Sequence, residues 1–199
     1  MSKALVLASA STARARLLRD AGIVFEVEPA DLDEAAVKRA QRRAGAGAPD
    51  CAMALAVLKA QAIPRRHPSA LVVGSDQMLD LDGEWFDKPA DREAAWRQLA
   101  ALRGRTHRLP TAVCVCRDEA VLWQAVSEPR LTMRDFSDTF LDAYLAEEGE
   151  VVLSLVGAYR LEGRGAQLFA AIEGDLFAIQ GLPLIELLGF LRSVGVIPT

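Results

Sequence analysis

Apolar runs and amphipathic stretches alternate along the chain, and this alternation predicts an α/β fold. Residues 4–8 and 70–75 are apolar segments of strand length, which is typical of strands buried on both faces. Apolar residues recur at helical spacing in residues 13–21, 51–63 and 91–102. We therefore expect strands and helices to alternate through the first half of the chain.

The second half of the chain contains more hairpin material. The segment LDLDGEW carries the Asp-Gly signal of a hairpin turn, and residues 105–132 are interpreted as two long β runs joined by the turn RDEA. Ser137 is the predicted N-cap of a helix, and the tail GLPLIELLGFLRSVG predicts another helix with Pro183 near its start. The segment PRRHP at 64–68 is predicted to be a solvated turn. Because no linker or repeat interrupts the chain, we expect a single domain over residues 1–199.

Two segments share one pattern, a buried strand that opens into a small polar loop. They are ALVLASAS at 4–11 and ALVVGSDQ at 70–77. Ligands of open α/β sheets bind beyond the carboxyl ends of such strands. If the two strands are parallel neighbours, the side chains that converge there are Ser9, Ser11, Ser75, Asp76 and Gln77.

The loop from Ser9 to Ser11 has the features of a phosphate site. Its residues are small, so backbone amides can approach an anion at the start of the following helix. Arg14 and Arg16 lie in the first turns of that helix, where positive charge is unfavourable unless an anion binds. One interpretation makes Arg14 a side-chain donor to a phosphate, and the other makes both arginines solvated. This stretch alone does not separate the two.

Carboxylates and lysines suggest a companion metal and triphosphate site. Asp76 follows an apolar run, which favours a partner such as a metal ion or a water to activate, and Asp33 and Glu34 form a second acidic pair. Hard oxygen ligands of this kind, completed by water and phosphate, suit Mg²⁺. Lys59 and Lys88 would supply cations to a triphosphate. Taken singly, Glu34 is better explained as a solvated residue of a first helical turn, and both lysines are more commonly solvated side chains.

Composition and charge narrow the classes of protein. The net charge of -4 and pI near 5.3 disfavour a broad nucleic-acid-binding face. Three cysteines without framework spacing argue against a disulfide scaffold, and His67 and His107 lack zinc-ligand spacing. The sequence shows neither a signal peptide nor a transmembrane stretch, so we expect a cytoplasmic protein without a membrane partner. Exposed apolar surface would allow a homodimer.

The order of motifs resembles the Maf family of nucleoside triphosphate pyrophosphatases over nearly the whole chain. The family opening S-x-S-P-R-R-x-x-L-L is similar to SASTARARLL at 9–18. Each motif alone is weak, and the shared order makes the resemblance specific. The remaining matches are DLDE at 31–34, LAVLKAQAI at 55–63, GSDQ at 74–77, DKP at 87–89, LRGRTHRLPTAV at 102–113, GAYRLEGRGAQLF at 157–169 and IEGDLFAIQGLPL at 172–184.

The resemblance implies a fold and a reaction. The fold would be α/β, with a mixed, curved sheet flanked by helices and two lobes around a central cleft. The reaction would hydrolyse a nucleoside triphosphate to the monophosphate and pyrophosphate, with a divalent metal cation (Mg, Mn or Co) neutralising phosphate charge. The implied roles are catalysis for Asp76, Lys59 and Lys88, phosphate binding for Ser9, Ser11 and Arg14, and metal binding for Glu34 and Asp76.

Two positions sort the chain within the family. Gln77 after the aspartate and Glu162 in GAYRLEG are similar to the branch that acts on 7-methyl-GTP, and a carboxylate suits the donors of a guanine edge. The chain departs from the family at Thr12, Ala13 and Ser154, where proline, arginine and aspartate are usual. We expect Gln77 and Glu162 to recognise the base. The alternative is a weakly active or inactive nucleotide-binding regulator of septum formation.

Overall fold

Two five-stranded sheets form the framework of the computed structural model, which describes residues 4–63 and 69–198. The strands in chain order are β1 (Leu5–Leu7), β2 (Glu26–Val27), β3 (Leu71–Gln77), β4 (Leu79–Leu81), β5 (Glu84–Phe86), β6 (Thr106–Arg108), β7 (Thr111–Arg117), β8 (Ala120–Ser127), β9 (Arg130–Met133) and β10 (Phe169–Glu173). The helices are α1 (Thr12–Asp20), α2 (Glu34–Arg43), α3 (Ala48–Gln61), α4 (Arg92–Leu102), α5 (Asp138–Glu148), α6 (Leu176–Ile179) and α7 (Leu184–Ser193). Short 3₁₀ segments occupy Gly149–Ser154, Val156–Ala158 and Arg164–Leu168.

The first sheet is mixed and the second is antiparallel. The first has the order β2-β1-β3-β7-β8, in which β1 pairs in parallel with β2 and β3, and the remaining pairs are antiparallel. The second has the order β10-β9-β6-β4-β5. The predicted α/β architecture, with a mixed sheet flanked by helices, is confirmed. The predicted single domain over residues 1–199 stays a prediction.

The chain passes between the two sheets at three points that lie side by side. Met78 separates β3 from β4, Pro110 precedes β7, and Pro129 precedes β9. Met78 N donates to Pro110 O at 2.9 Å, and Leu109 N donates to Pro129 O at 3.0 Å. The prediction of two long β runs over residues 105–132 is therefore wrong. Four strands occupy that region, because a proline has no N–H to give to a ladder and ends the pairing.

Helices cover both faces of the first sheet. Helix α3 packs on one face, and α1 and α7 pack on the other, each against a separate apolar cluster. Gly74 on β3 allows the close approach of α3. A Cβ atom built at Gly74 would lie 2.0 Å from the carbonyl oxygen of Ala56 and 2.9 Å from the amide nitrogen of Ala60. The backbones of helix and strand therefore touch here, which holds the next turn of α3 over the end of β3.

The second sheet has its own core, to which α4 and α5 contribute through Leu99, Leu141 and Tyr144. Two local predictions in this half are confirmed. The Asp-Gly turn joins β4 to β5, and Ser137 Oγ caps α5 by accepting from Phe140 N at 3.2 Å. The predicted turn at 64–68 lies outside the described residues. Among the helices that are described, none combines the length and the apolar character needed to span a membrane.

Candidate functional site

The carboxyl ends of β1 and β3 lie side by side, which meets the condition set for the convergence of their polar side chains. The two strands are parallel, with Leu5 opposite Leu71 and Leu7 opposite Val73. One detail of the prediction is wrong. Asp76 and Gln77 belong to β3 itself, because that strand continues its pairing with β7 through Gln77 opposite Thr111.

The loop between β1 and α1 is organised by its two serines. Ser11 is the N-cap of α1, and its Oγ accepts from the amide of Arg14 at 3.3 Å. Ser9 is buried, and its Oγ accepts from the amide of Ser11 at 3.2 Å and from Nη1 of Arg14 at 3.1 Å. Nε of Arg14 donates to the carbonyl oxygen of Gly181 at 2.6 Å. The Ser9-x-Ser11 spacing thus fixes both the start of the helix and the direction of one arginine.

Arg14 and Arg16 have opposite surroundings. Burial lowers the pKa of Arg14, while the charges of Asp76 and Glu34 act in the raising direction, which places this cation near both carboxylates. Because the guanidinium of Arg14 also donates to Ser9 and to Gly181, the interpretation of Arg14 as a freely solvated side chain is wrong. Arg16 is half exposed and pairs with Glu162 at 3.0 Å.

A lysine bridged by two carboxylates forms the centre of the site. Nζ of Lys59 lies 2.6 Å from Oδ1 of Asp76 and 2.7 Å from Oε1 of Glu34. The side chains of Lys59 and Asp76 are 9% and 7% exposed, whereas that of Glu34 is 45% exposed. Burial would raise the pKa of Glu34, but the hydrogen bond and charge of Lys59 hold it below its ordinary value. Lys59 and Glu34 are therefore not simply solvated.

The carboxylate of Asp76 has one unused oxygen. Oδ2 is buried and has no hydrogen-bond partner within residues 4–63 and 69–198. An orphaned buried carboxylate oxygen is costly unless a proton donor or a cation binds there. Asp76 and Glu34 thus fit a divalent cation as two hard oxygen ligands. In the part of the chain that the structure describes, no group of three or more His, Cys, Asp or Glu side chains is placed to hold a metal ion. Phosphate oxygens and water would therefore complete the coordination of a cation bound at these two carboxylates.

Two other acidic or polar candidates do not join this pair. Asp33 is the N-cap of α2, since its Oδ1 accepts from the amide of Ala36 at 2.8 Å. Ser154, where the family usually has aspartate, is exposed and donates to the carbonyl oxygen of Val151 at 2.8 Å. The carboxylates near Lys59 that the structure describes therefore come from α2 and β3.

Two further lysines act electrostatically on Glu34, one in the loop after β5 and the other on α2 itself. Lys88 is exposed in the loop after β5, and its charge contributes to the lowered pKa of Glu34. Lys38 acts on Glu34 in the same way, and its Nζ donates to Oδ1 of Asp87 at 2.5 Å. The sequence analysis missed Lys38. Its position four residues after Glu34, which is the spacing of neighbours on one face of a helix, is the signal that would have found it.

A cleft of about 60 Å³ lies beside the loop and contains both residues predicted to recognise a base. It is lined by the start of α1 at Ala13, by Gln77, by the segment 155–162 and by α6. Nε2 of Gln77 donates to Oγ1 of Thr111 and to the carbonyl oxygens of Ala178 and Ile179 at 3.0, 2.9 and 3.1 Å. The structure thus brings Gln77 and Glu162 to one cleft, and it gives Gln77 the additional task of anchoring α6.

Comparison with known proteins finds one matching family and several similar relatives. The sequence matches the family described as Maf-like protein over residues 4–194. A nucleoside triphosphate pyrophosphatase of Paramagnetospirillum magneticum is 54% identical over 190 residues, which cover 96% of this chain and 98% of that protein. A 7-methyl-GTP pyrophosphatase of Rhizobium etli is 47% identical over 197 residues, which cover 99% of each chain. A 7-methyl-GTP pyrophosphatase of Brucella abortus is also 47% identical, over 192 residues and 96% of each chain.

Proposed function

This chain belongs to the family of Maf-like proteins, and we propose that it hydrolyses a nucleoside triphosphate to the monophosphate and pyrophosphate. The observation that carries the proposal is the buried contact of Lys59 with Asp76, in which Oδ2 of Asp76 remains without a partner in the described part of the chain. The chain would act as a hydrolase that removes unwanted nucleotides from the cytoplasmic pool.

The charges of the site suit a triphosphate. Cationic groups from three parts of the chain act on the two carboxylates, and these are Arg14 on α1, Lys59 on α3 and Lys88 in the loop after β5. Arg14 and the amides at the start of α1 would bind phosphate oxygens. Lys88, whose side chain is exposed, would bind the leaving pyrophosphate. Such groups hold the reacting phosphate in place and stabilise the charge that develops during hydrolysis.

Asp76 is the proposed proton acceptor. Lys59 holds Oδ1 and thereby fixes the direction of the carboxylate, so Oδ2 is the oxygen that would accept a proton from the attacking water. Water attacks the α-phosphorus, the bond to the bridging oxygen of the β-phosphate breaks, and pyrophosphate leaves. Because Oδ2 of Asp76 is assigned to the proton, a divalent cation (Mg, Mn or Co) would be held by Glu34 together with phosphate oxygens, and it would supply positive charge to them.

The substrate base would be a purine, and a modified one such as that of 7-methyl-GTP is the preferred candidate. Because Nε2 of Gln77 is already bonded to three acceptors, Oε1 is the atom of that side chain that would meet a base. Glu162 adds carboxylate oxygens to the same cleft. Acceptors of this kind suit the N1–H and 2-amino donors of guanine.

A pyrophosphate-release screen tests the proposal. Canonical and modified triphosphates are incubated with Mg²⁺, Mn²⁺ or Co²⁺, using the wild-type chain, Asp76→Asn and the control Asp142→Asn, which is exposed on α5. We expect Asp76→Asn to lower kcat by about 10²- to 10⁴-fold, the usual contribution of a general base, and Asp142→Asn to leave it unchanged. Nucleotide binding without turnover of any triphosphate would contradict the enzyme and support the regulator. A profile dominated by dTTP and UTP would contradict the base assignment.

A further inference from the structure

Helix α2 presents a charged stripe toward the rest of the molecule. Glu34, Lys38 and Arg42 recur every four residues, so they lie along one face of the helix. Each of the three contacts a different element. Glu34 meets Lys59 on α3, Lys38 meets Asp87 after β5, and Arg42 meets β5 itself. We name these three residues the α2 stripe.

The contact of Lys38 joins the helix to the loop that carries Lys88. Nζ of Lys38 lies 2.5 Å from Oδ1 of Asp87, and the lysine side chain is 18% exposed while that of Asp87 is 72% exposed. Burial would lower the pKa of Lys38, but the hydrogen bond to Asp87 and the nearby carboxylate charges raise it above its ordinary value. Helix α4 also contacts this loop, since Nε2 of its residue Gln98 donates to the carbonyl oxygen of Asp87 at 2.7 Å.

Arg42 makes the second contact of the stripe with the same region. Its guanidinium carbon lies 4.7 Å from the centre of the Trp85 ring, and Nη2 donates to the carbonyl oxygen of Trp85 at 3.3 Å. A guanidinium over an indole face is a favourable cation–π arrangement. Lys38 and Arg42, one helical turn apart, thus contact Asp87 and Trp85, two residues apart at the end of β5. The helix is therefore attached to this strand end at two points.

The rest of α2 is lightly attached. None of its residues is fully buried, and Val37 reaches the apolar cluster under α3 as a partly buried side chain. The position of the helix therefore depends strongly on the stripe. Glu34 and Lys88, which belong to the proposed phosphate and metal site, stand at the two ends of this connection.

We infer that Lys38 is a positioning residue, which through Asp87 sets the place of Lys88 relative to Glu34. The pair fastens α2 of the first half of the chain to the loop that follows β5 of the second sheet. Lys88 is exposed and its backbone follows Asp87 directly, so holding Asp87 restricts where the ammonium of Lys88 can go. The catalytic part of this inference rests on the proposed function.

Hydrogen exchange tests the fastening independently of activity. The wild-type chain is compared with Lys38→Met and with the control Arg39→Met, which removes an exposed positive charge from the next residue of the same helix. We expect Lys38→Met to speed amide exchange in α2 and in residues 87–91 by about two- to fivefold, while Arg39→Met leaves both unchanged. Equal exchange in all three chains would overturn the inference, whatever the activity of the protein.

Kinetics then separates positioning from direct contact. With the triphosphate that the wild-type chain turns over best, we expect Lys38→Met, Asp87→Asn and the double variant to lose the same factor in kcat/KM. That factor is about tenfold, below the ~10²-fold that a 1 Å misplacement can cost. Lys38→Arg should retain most of the activity, and Lys38→Met should have no further effect in a Lys88→Met background. If Lys38→Met lowers kcat/KM and Asp87→Asn leaves it unchanged, the positioning role is overturned and Lys38 acts as a direct phosphate ligand. Absence of turnover in the wild-type chain would contradict the proposed function and leave the exchange result to decide on the fastening.

Discussion

Replacing Lys59 by methionine removes the cation that two carboxylates share. Methionine keeps the unbranched apolar stem of the side chain up to the ε position, so the packing of α3 on β3 is preserved. What is lost is the ammonium at 2.6 Å from Asp76 and 2.7 Å from Glu34. Oδ1 of Asp76 then loses its contact with Lys59. Oδ2 has no hydrogen-bond partner in the described residues even in the wild-type chain.

The size of the loss follows from burial. Removing one partner of a buried ion pair costs about 3–5 kcal/mol, because the other charge remains desolvated. Glu34 is 45% exposed and can be hydrated, so the low end applies and the free energy of unfolding should fall by about 3 kcal/mol. For a chain of 199 residues each kcal/mol corresponds to roughly 2–4 °C, which gives a decrease in Tm of roughly 6–12 °C.

Thermal unfolding followed by circular dichroism measures this loss, first in the presence of a chelator and then with a divalent cation. The control is Arg97→Met, which breaks the exposed Glu93–Arg97 pair of α4 and should lower Tm by no more than about 2 °C. A divalent cation should raise the Tm of Lys59→Met more than that of the wild-type chain, because it replaces the missing positive charge. If Lys59→Met unfolds within about 2 °C of the wild-type chain, the account of this ion pair is wrong.

Three further predictions concern packing, pH and capping. Gly74→Ala should lower the free energy of unfolding by about 3 kcal/mol in urea titrations, since its Cβ would lie 2.0 Å from the carbonyl oxygen of Ala56, whereas Gly189→Ala, with nothing within 4 Å, should be neutral or stabilising. Burial lowers the pKa of His107 to about 4, so stability should fall by about 3 kcal/mol as the pH drops from 6.5 to 4, and His107→Gln should flatten that slope in unfolding experiments across this range. The sign follows because the unfolded chain binds the proton first. Ser11→Ala and Ser137→Ala should each lower the free energy of unfolding by about 1 kcal/mol, because each removes a helix cap. Only Ser11→Ala should also raise KM for the triphosphate. Equal KM values in the two variants would contradict the phosphate role of the loop.

Sequence patterns that act locally were sufficient for much of the fold. The hairpin at Asp82-Gly83 and the cap at Ser137 follow from short stretches of chain, whereas the parallel pairing of β1 with β3 joins distant segments and was only a condition of the sequence argument. Pro110 and Pro129 each mark a point where the chain passes from one sheet to the other, which the alternation of apolar and polar residues does not indicate. A missing N–H is a local signal, and its consequence for sheet topology becomes visible only when the three crossings are seen together.

The roles within the site depended on contacts between distant parts of the chain. Arg14 and Arg16 lie one helical turn or less from the same loop, and no local rule separates them. The difference is set by partners 167 and 146 residues away, the carbonyl oxygen of Gly181 for Arg14 and the carboxylate of Glu162 for Arg16. The same carbonyl oxygen accepts from Oγ of Ser75 at 3.0 Å, which ties Arg14 to the strand that carries Asp76. The positive charge of Arg14 at the start of α1 is thus positioned by the backbone at Gly181, which also contacts β3, before any phosphate binds.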